Sequence, residues 1–176
     1  ALAAPRLTTN GGNLANAFFT LTRREREELA RQFCELIPTF SDVDVVPLSE
    51  GKLHLQFQDR WAPSTWYTAQ DVSDGTMLIL AYLVLQYQRE KLDLILIEEP
   101  ERGLHPYLLR SLVEFLRKLS SGEVGPRAIQ IVLATHSADL LDHVLPEEAR
   151  FLTRDAGDGS VRVDTIPATE PGWQSA

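Results

Sequence analysis

The sequence predicts an α/β fold, a mostly parallel sheet flanked by helices, with a small antiparallel strand unit ahead of its central apolar helix. Three observations lead there. From Asp71 onward the apolar pattern runs helix, strand, helix, strand, helix, strand, the rhythm of a parallel sheet covered by helices. The run LDLILI at 92–97 is continuous rather than alternating, as in a strand buried on both faces. Between Asp42 and Tyr67 the period falls to two, with VDVV and KLHLQFQ either side of the turn Ser49-Glu50-Gly51. With 176 residues the chain can bury a core of its own. It is expected to form a single lobe, with a helical and antiparallel segment over 1–70 and the parallel part over 71–176.

Taken in order, Asn13 is placed to cap a short helix ending at Phe19, and Thr22 with Glu25 has capping-box spacing for a second, ending near Pro38. Leu29, Phe33, Leu36 and Ile37 form the buried stripe of that helix, while Arg23, Arg24 and Arg26, interleaved with Glu25, Glu27 and Glu28, read as its solvated face. Trp61, Trp66 and Tyr67 in WAPSTWY either pack the small sheet or form a partner surface. The helix from about Asp74 to Arg89 is apolar nearly all round and should be packed on both sides. After the strand 92–97, Pro106 suits the first turn of a helix with the stripe Leu108, Leu112, Phe115, Leu116 and Leu119, ended by Gly122 and Gly125. Ile129 to Ala134 reads as a second buried strand, Ser137 as the cap of a helix through about Val144, and FLTRD-AGDGS-VRVDTI as a hairpin.

Composition narrows the function classes. Hydrophobic residues make up 44% and charged residues 24%, the balance of an ordinary folded domain. Cys34 is the only cysteine, so neither an intramolecular disulfide nor a cysteine-based zinc site can form; a reducing, cytoplasmic setting is the expectation. His54 and His143 lack ligand spacing for zinc. The longest apolar run, Met77 to Leu85, is about half of a membrane span. A net charge of −8 argues against a broad nucleic-acid-binding face. The opening ALAAPRLTTNGG lacks the order of a secretory signal and reads as a chain entered partway through.

Three short stretches carry chemistry. The strand 92–97 stops on Glu98 and Glu99, and ligands of open parallel sheets bind beyond the carboxyl ends of strands. Two carboxylates there can hold a divalent cation and take a proton from water; an isolated pair is equally a solvated acidic loop. In TAQDVSDGT at 68–76, Ser73 is a good helix cap and Gly75 lets a ligand approach the backbone, which suits an anion, although Ser-Asp-Gly is also ordinary turn chemistry. In LATHSADLLD at 133–142, His136 follows a strand and can bond a phosphate oxygen or a water, or simply serve the next helix cap.

In this order the three stretches resemble the ATP-binding-cassette type of ATPase head, in the group related to RecF, SMC and OLD-family ATPases. VSDGT resembles the signature motif, LILIEEPE the Walker B strand with its catalytic acid, RGLHP the D-loop, and LATHS the switch-histidine segment. The resemblance covers essentially the whole chain and implies the C-terminal lobe of a P-loop NTPase using ATP and Mg²⁺. It implies that Glu98 acts on Mg²⁺, Glu99 is the general base, and His136 senses the γ-phosphate. Ser73, Asp74, Gly75 and Thr76 are implied to meet ATP held by another subunit, and Leu104, His105 and Pro106 to lie at the interface of a homodimer. Glu98 stands where ABC proteins commonly have aspartate, and Glu101 reads as a solvent-facing carboxylate or, alternatively, as a support of the metal shell.

A phosphate loop of the form G-x-x-x-x-G-K-[ST] is absent from the sequence: the only Gly-Lys pair, Gly51-Lys52, is followed by Leu53, with Val46 in place of the first glycine. An N-terminal lobe carrying that loop, in the same or another chain, is therefore expected, and this chain alone is expected to hydrolyse little ATP. A nuclease or effector partner is compatible with the resemblance. Two other readings are a binding or regulatory module that retains the ATPase fold, and the ATPase subunit of a transporter. The transporter reading is set back by Asp74-Gly75-Thr76 where such subunits have Gly-Gly before Gln.

Overall fold

The computed structural model describes residues 6–48, 51–90 and 92–165. The expected turn at Ser49-Glu50 and the end of the hairpin at Ile166 lie outside the described residues. Helices α1 (Leu14–Phe19) and α2 (Arg23–Leu36) come first. Thr22 forms the capping box with Glu25, its hydroxyl accepting from the Glu25 N–H and the Glu25 carboxylate accepting from the Thr22 N–H. Asn13 starts α1 without capping it. Its Oδ1 instead accepts from the N–H and hydroxyl of Thr8, so the expected cap faces back along the chain.

Strands β1 (Phe40–Pro47), β2 (Leu53–Asp59) and β3 (Trp66–Thr68) form an antiparallel sheet in sequence order. Its inner face meets α2, where Phe33, Phe40 and Phe57 pack with ring centroids 5.4–6.1 Å apart. Tyr67 packs edge-on against Phe40, while Trp61 at the β2–β3 turn is 76% exposed.

Helix α3 (Asp74–Leu85) packs against α1 and α2, and none of the residues 75–88 is exposed, as its apolar circumference predicts. It stops four residues short of Arg89. Beyond its end, the Gln86 Nε2 donates to the Leu83 carbonyl and to Gln32 Oε1, and Gln88 Oε1 accepts from the Leu7 N–H. These buried amides tie the turn to α2 and the N-terminal segment instead of extending the helix.

The second half pairs β4 (Leu94–Glu98) in parallel with β5 (Gln130–Ala134), joined by α4 (Tyr107–Ser121). Gly122 ends α4 in the left-handed conformation at φ 78°, where a Cβ would lie 2.7 Å from the Ala128 nitrogen. Ser137 caps α5 (Ala138–Leu141), which is a turn shorter than the sequence suggested. The hairpin β6 (Phe151–Arg154) and β7 (Val161–Asp164) closes the described chain.

The sequence expectation fails on burial of the parallel strands. Leu94, Leu96 and Val132 are 48%, 71% and 46% exposed, and burial alternates along both β4 and β5. Ile95, Ile97, Ile131 and Leu133 are half-buried on the other face. The continuous apolar pattern does signal a strand built for cover on both sides, but the described residues cover one side only. Among the described residues no helix is long and apolar enough to cross a membrane.

Candidate functional site

The site is built where β4 and β5 end. In register, Glu98 pairs with Ala134, and the ladder runs one bond further, the Glu99 N–H donating to the Ala134 carbonyl at 2.7 Å. That bond fixes Glu98, Glu99, Thr135 and His136 at one end of the sheet. Alternation puts Glu98 on the same open face as Leu94 and Leu96, with its carboxylate exposed. His136 is exposed as well.

Glu99 has φ 46°, the single positive φ at a non-glycine among the described residues. A side chain in this left-handed region costs about 1–2 kcal/mol, and such strain collects where function requires it. The turn behind it is held by Arg102 N–H to the Glu99 carbonyl and Leu104 N–H to the Glu101 carbonyl, both 2.9 Å. Arg102 lies 3.8 Å from the Glu99 carboxylate, an exposed and weak pairing.

Glu101 is not the solvent-facing group the sequence suggested. Its Oε1 accepts from the Thr135 hydroxyl at 2.6 Å, and the same Thr135 oxygen accepts from the Ser137 N–H at 3.0 Å. Its Oε2 is buried without a hydrogen-bond partner among the described residues. The neighbouring Tyr82 phenol donates to the Pro100 carbonyl at 3.3 Å; burial first, and the Glu101 charge second, push it up to about 12.

The stretch Ser73–Thr76 lies at the start of α3. Ser73 Oγ accepts from the Thr76 N–H at 3.2 Å and pairs with the Thr76 hydroxyl at 2.9 Å, a side-chain cap. Ser73 and Asp74 are exposed, whereas Gly75 and Thr76 are buried. The reason for glycine at 75 differs from the one read in the sequence. A Cβ there would meet the Gly103 carbonyl oxygen at 2.2 Å and Leu104 Cδ2 at 3.4 Å, so the close neighbour is this chain's own loop. Gly103 itself has φ 76°. The structure thus brings the turn at Ser73–Thr76 onto the loop that follows β4. Beyond Leu104, the exposed rings of His105 and Tyr107 stand 4.8 Å apart, and the Tyr107 N–H donates to His105 Nδ1 at 3.4 Å.

Sequence reasoning missed the Glu101–Thr135 bond, the Glu99 backbone and the Gly75–Gly103 contact. Thr135, a hydroxyl beside a histidine at a strand end, was the one available hint of the first. The other two are backbone properties that no side chain advertises.

Comparison with known proteins bears on this arrangement. A family model described as "AAA domain, putative AbiEii toxin, Type IV TA system" matches residues 38–142, more than half of the chain. No curated protein matches the chain. Among solved structures, one from work on the ATP-driven dimerization and DNA-stimulated activation of SMC ATPases superposes with TM-score 0.52 at 17% identity, over 82% of this chain and 87% of that one. The head of an Smc bound to the C-terminal winged-helix domain of ScpA gives 0.55 at 10%, over 81% and 42%. The SMC head domain from Thermotoga maritima gives 0.52 at 14%, over 89% and 52%. The chain spans about half or less of the length of the last two. At these identities the likeness shows the fold, that of an SMC-type head among the P-loop NTPases.

Proposed function

As a member of the AAA domain family described as putative AbiEii toxin, type IV TA system, to which this chain belongs, it is an ATPase-type domain, and we propose that it supplies the metal carboxylate, general base and γ-phosphate sensor of an ATP hydrolase. The supporting observation is the end of the β4–β5 ladder, where the Glu99 N–H bond to Ala134 sets two carboxylates beside the His136 loop.

The residues present fit Mg²⁺ as one corner of a shared site. Among the described residues no group of three His, Cys, Asp or Glu could hold a metal unaided. Magnesium, however, keeps several waters and takes one or two carboxylates together with nucleotide phosphates, which suits the exposed Glu98. When bound with ATP it supplies positive charge against the phosphate oxygens. Glu99 accepts the proton of the attacking water at a carboxylate oxygen, and its left-handed backbone sets where that oxygen stands. His136 donates toward the γ-phosphate. Ser73 offers the exposed hydroxyl of the signature turn to a nucleotide held by a second subunit, with the start of α3 favouring its negative charge. Gly75 and Thr76 serve that turn from beneath, and Leu104, His105 and Pro106 carry the D-loop toward the same interface.

The phosphate loop comes from another lobe. The open face of Leu94, Leu96 and Val132, on a parallel sheet of two strands, supports an assembly in which that lobe covers or extends the sheet. The likeness to SMC heads, one of them crystallised with ScpA, supports assembly with further proteins. The test is ATP turnover by the complete assembly with Glu99→Gln. Loss of hydrolysis with nucleotide binding retained is expected; unchanged hydrolysis refutes the assignment.

A further inference from the structure

We infer that Glu101 and Thr135 form a positioning pair that holds the His136 loop in register with the Glu99 backbone during hydrolysis. The inference rests on the proposed ATPase reading and assigns a role to two residues that touch neither metal nor water in it.

Two cross-links join the loops after β4 and β5. The first is the backbone bond from the Glu99 N–H to the Ala134 carbonyl at 2.7 Å. The second is the side-chain bond from the Thr135 hydroxyl to Glu101 Oε1 at 2.6 Å, within the range for a hydroxyl donating to a carboxylate. Each lies one residue or less from a proposed reacting group: Glu99 carries the first, and Thr135 immediately precedes His136. Thr135 has one proton to give and gives it to Glu101, while its oxygen accepts from the Ser137 N–H, so all three residues 135–137 are oriented by one hydroxyl. A single backbone bond leaves a hinge between two loops; a second bond, two residues further along one and one residue further along the other, removes it.

The state of Glu101 separates this from a plain packing contact. Its second oxygen is buried and has no donor among the described residues, although Tyr82 lies close enough for its phenol to feel the Glu101 charge. Tyr82 donates instead to the Pro100 carbonyl, which steadies the backbone between Glu99 and Glu101. A buried acceptor left open is costly and calls for a role. A methionine or leucine paired with valine would fill the same space without that cost.

That alternative sets the experiment. In the complete assembly, Thr135→Val, Glu101→Met, their double variant, Thr135→Ser and Glu99→Gln are compared for thermal stability, KM for ATP and kcat. The expected result is a fall in kcat of about 10- to 100-fold for Thr135→Val and Glu101→Met, since small misplacements of reacting groups cost that much. KM should stay within about twofold, and Thr135→Ser should keep near-normal turnover. The double variant should regain the stability lost by Thr135→Val but not its kcat. Recovery of kcat in the double variant, or normal kcat in Thr135→Val, overturns the positioning role while leaving Glu99 as base if Glu99→Gln is inactive. Normal hydrolysis by Glu99→Gln overturns the ATPase assignment and this inference with it.

Discussion

Replacing Gly75 by alanine tests how the turn at Ser73–Thr76 is seated. A methyl group on the Gly75 Cα would lie 2.2 Å from the Gly103 carbonyl oxygen and 3.1 Å from its carbonyl carbon. Comfortable carbon–oxygen contacts begin near about 3.3 Å, so roughly 1 Å of movement is needed. The obstacle is backbone and cannot swing aside. It belongs to a turn fixed by the Arg102 and Leu104 N–H bonds and by the left-handed Gly103. Relief must come from that turn or from the first turn of α3, at the expense of the Ser73 cap. Overpacking of this kind costs about 1–3 kcal/mol, and loss of a cap about 1 kcal/mol more. Against it stands the ordinary gain of up to about 1 kcal/mol for alanine over glycine in a helix. For a chain of this size the net loss of about 1–3 kcal/mol corresponds to a fall in Tm of about 2–12 °C. Thermal melting followed by far-ultraviolet circular dichroism reads it directly. A Tm that stays level or rises would mean that α3 and the loop after β4 are not in contact, and the shared seating of the two motifs would have to be abandoned.

Three further outcomes follow from the same structure. Glu99→Gly removes a side chain from φ 46°, so melting should show stability unchanged or raised by up to about 1 kcal/mol, with turnover abolished; a drop of several degrees would show that the carboxylate stabilises the fold instead. Thr22→Ala loses the capping box of α2, far from the sheet end, and should cost about 1 kcal/mol in a denaturant titration with kcat unaltered. Arg117, bonding through its side chain to Glu148 at 2.8–2.9 Å, holds that carboxyl below the ordinary glutamate range. Because the folded value is depressed, the pair stabilises the fold above the unfolded glutamate value, and this is lost as pH falls through the folded one. Glu148→Gln should flatten that acid limb of the Tm–pH curve, only slightly because both groups are partly solvated; an unchanged limb would count against the pairing.

Much of the architecture could be read from residues whose effects are local. The Thr22–Glu25 box, the Ser73 and Ser137 caps and the αL Gly122 act within one helical turn, and each lies where its spacing put it. The strand that stops at Glu98 was legible for a similar reason, since apolar residues end where the covered sheet ends. Legibility failed where the deciding partner was distant in sequence. Gln86 and Gln88 bonded to α2 and the N-terminal segment, and Glu101 met Thr135 across 34 positions. Gly75 looked like a place for a ligand because the sequence does not say that Gly103 will occupy it. The apolar runs of β4 and β5 were read as buried on both faces; their composition describes the sheet they are suited to, and the described chain supplies cover for one side of it.

That half-covered sheet also bears on production of the protein in the cell. Two parallel strands with Leu94, Leu96 and Val132 outward, and with backbone edges unpaired among the described residues, form a template for unwanted strand addition until covered. Parallel pairing is slow to complete because its contacts are far apart in sequence, which lengthens the exposure. Produced without cover for that open face, this sheet should therefore be sticky and short-lived, captured by chaperones or cleared by proteases.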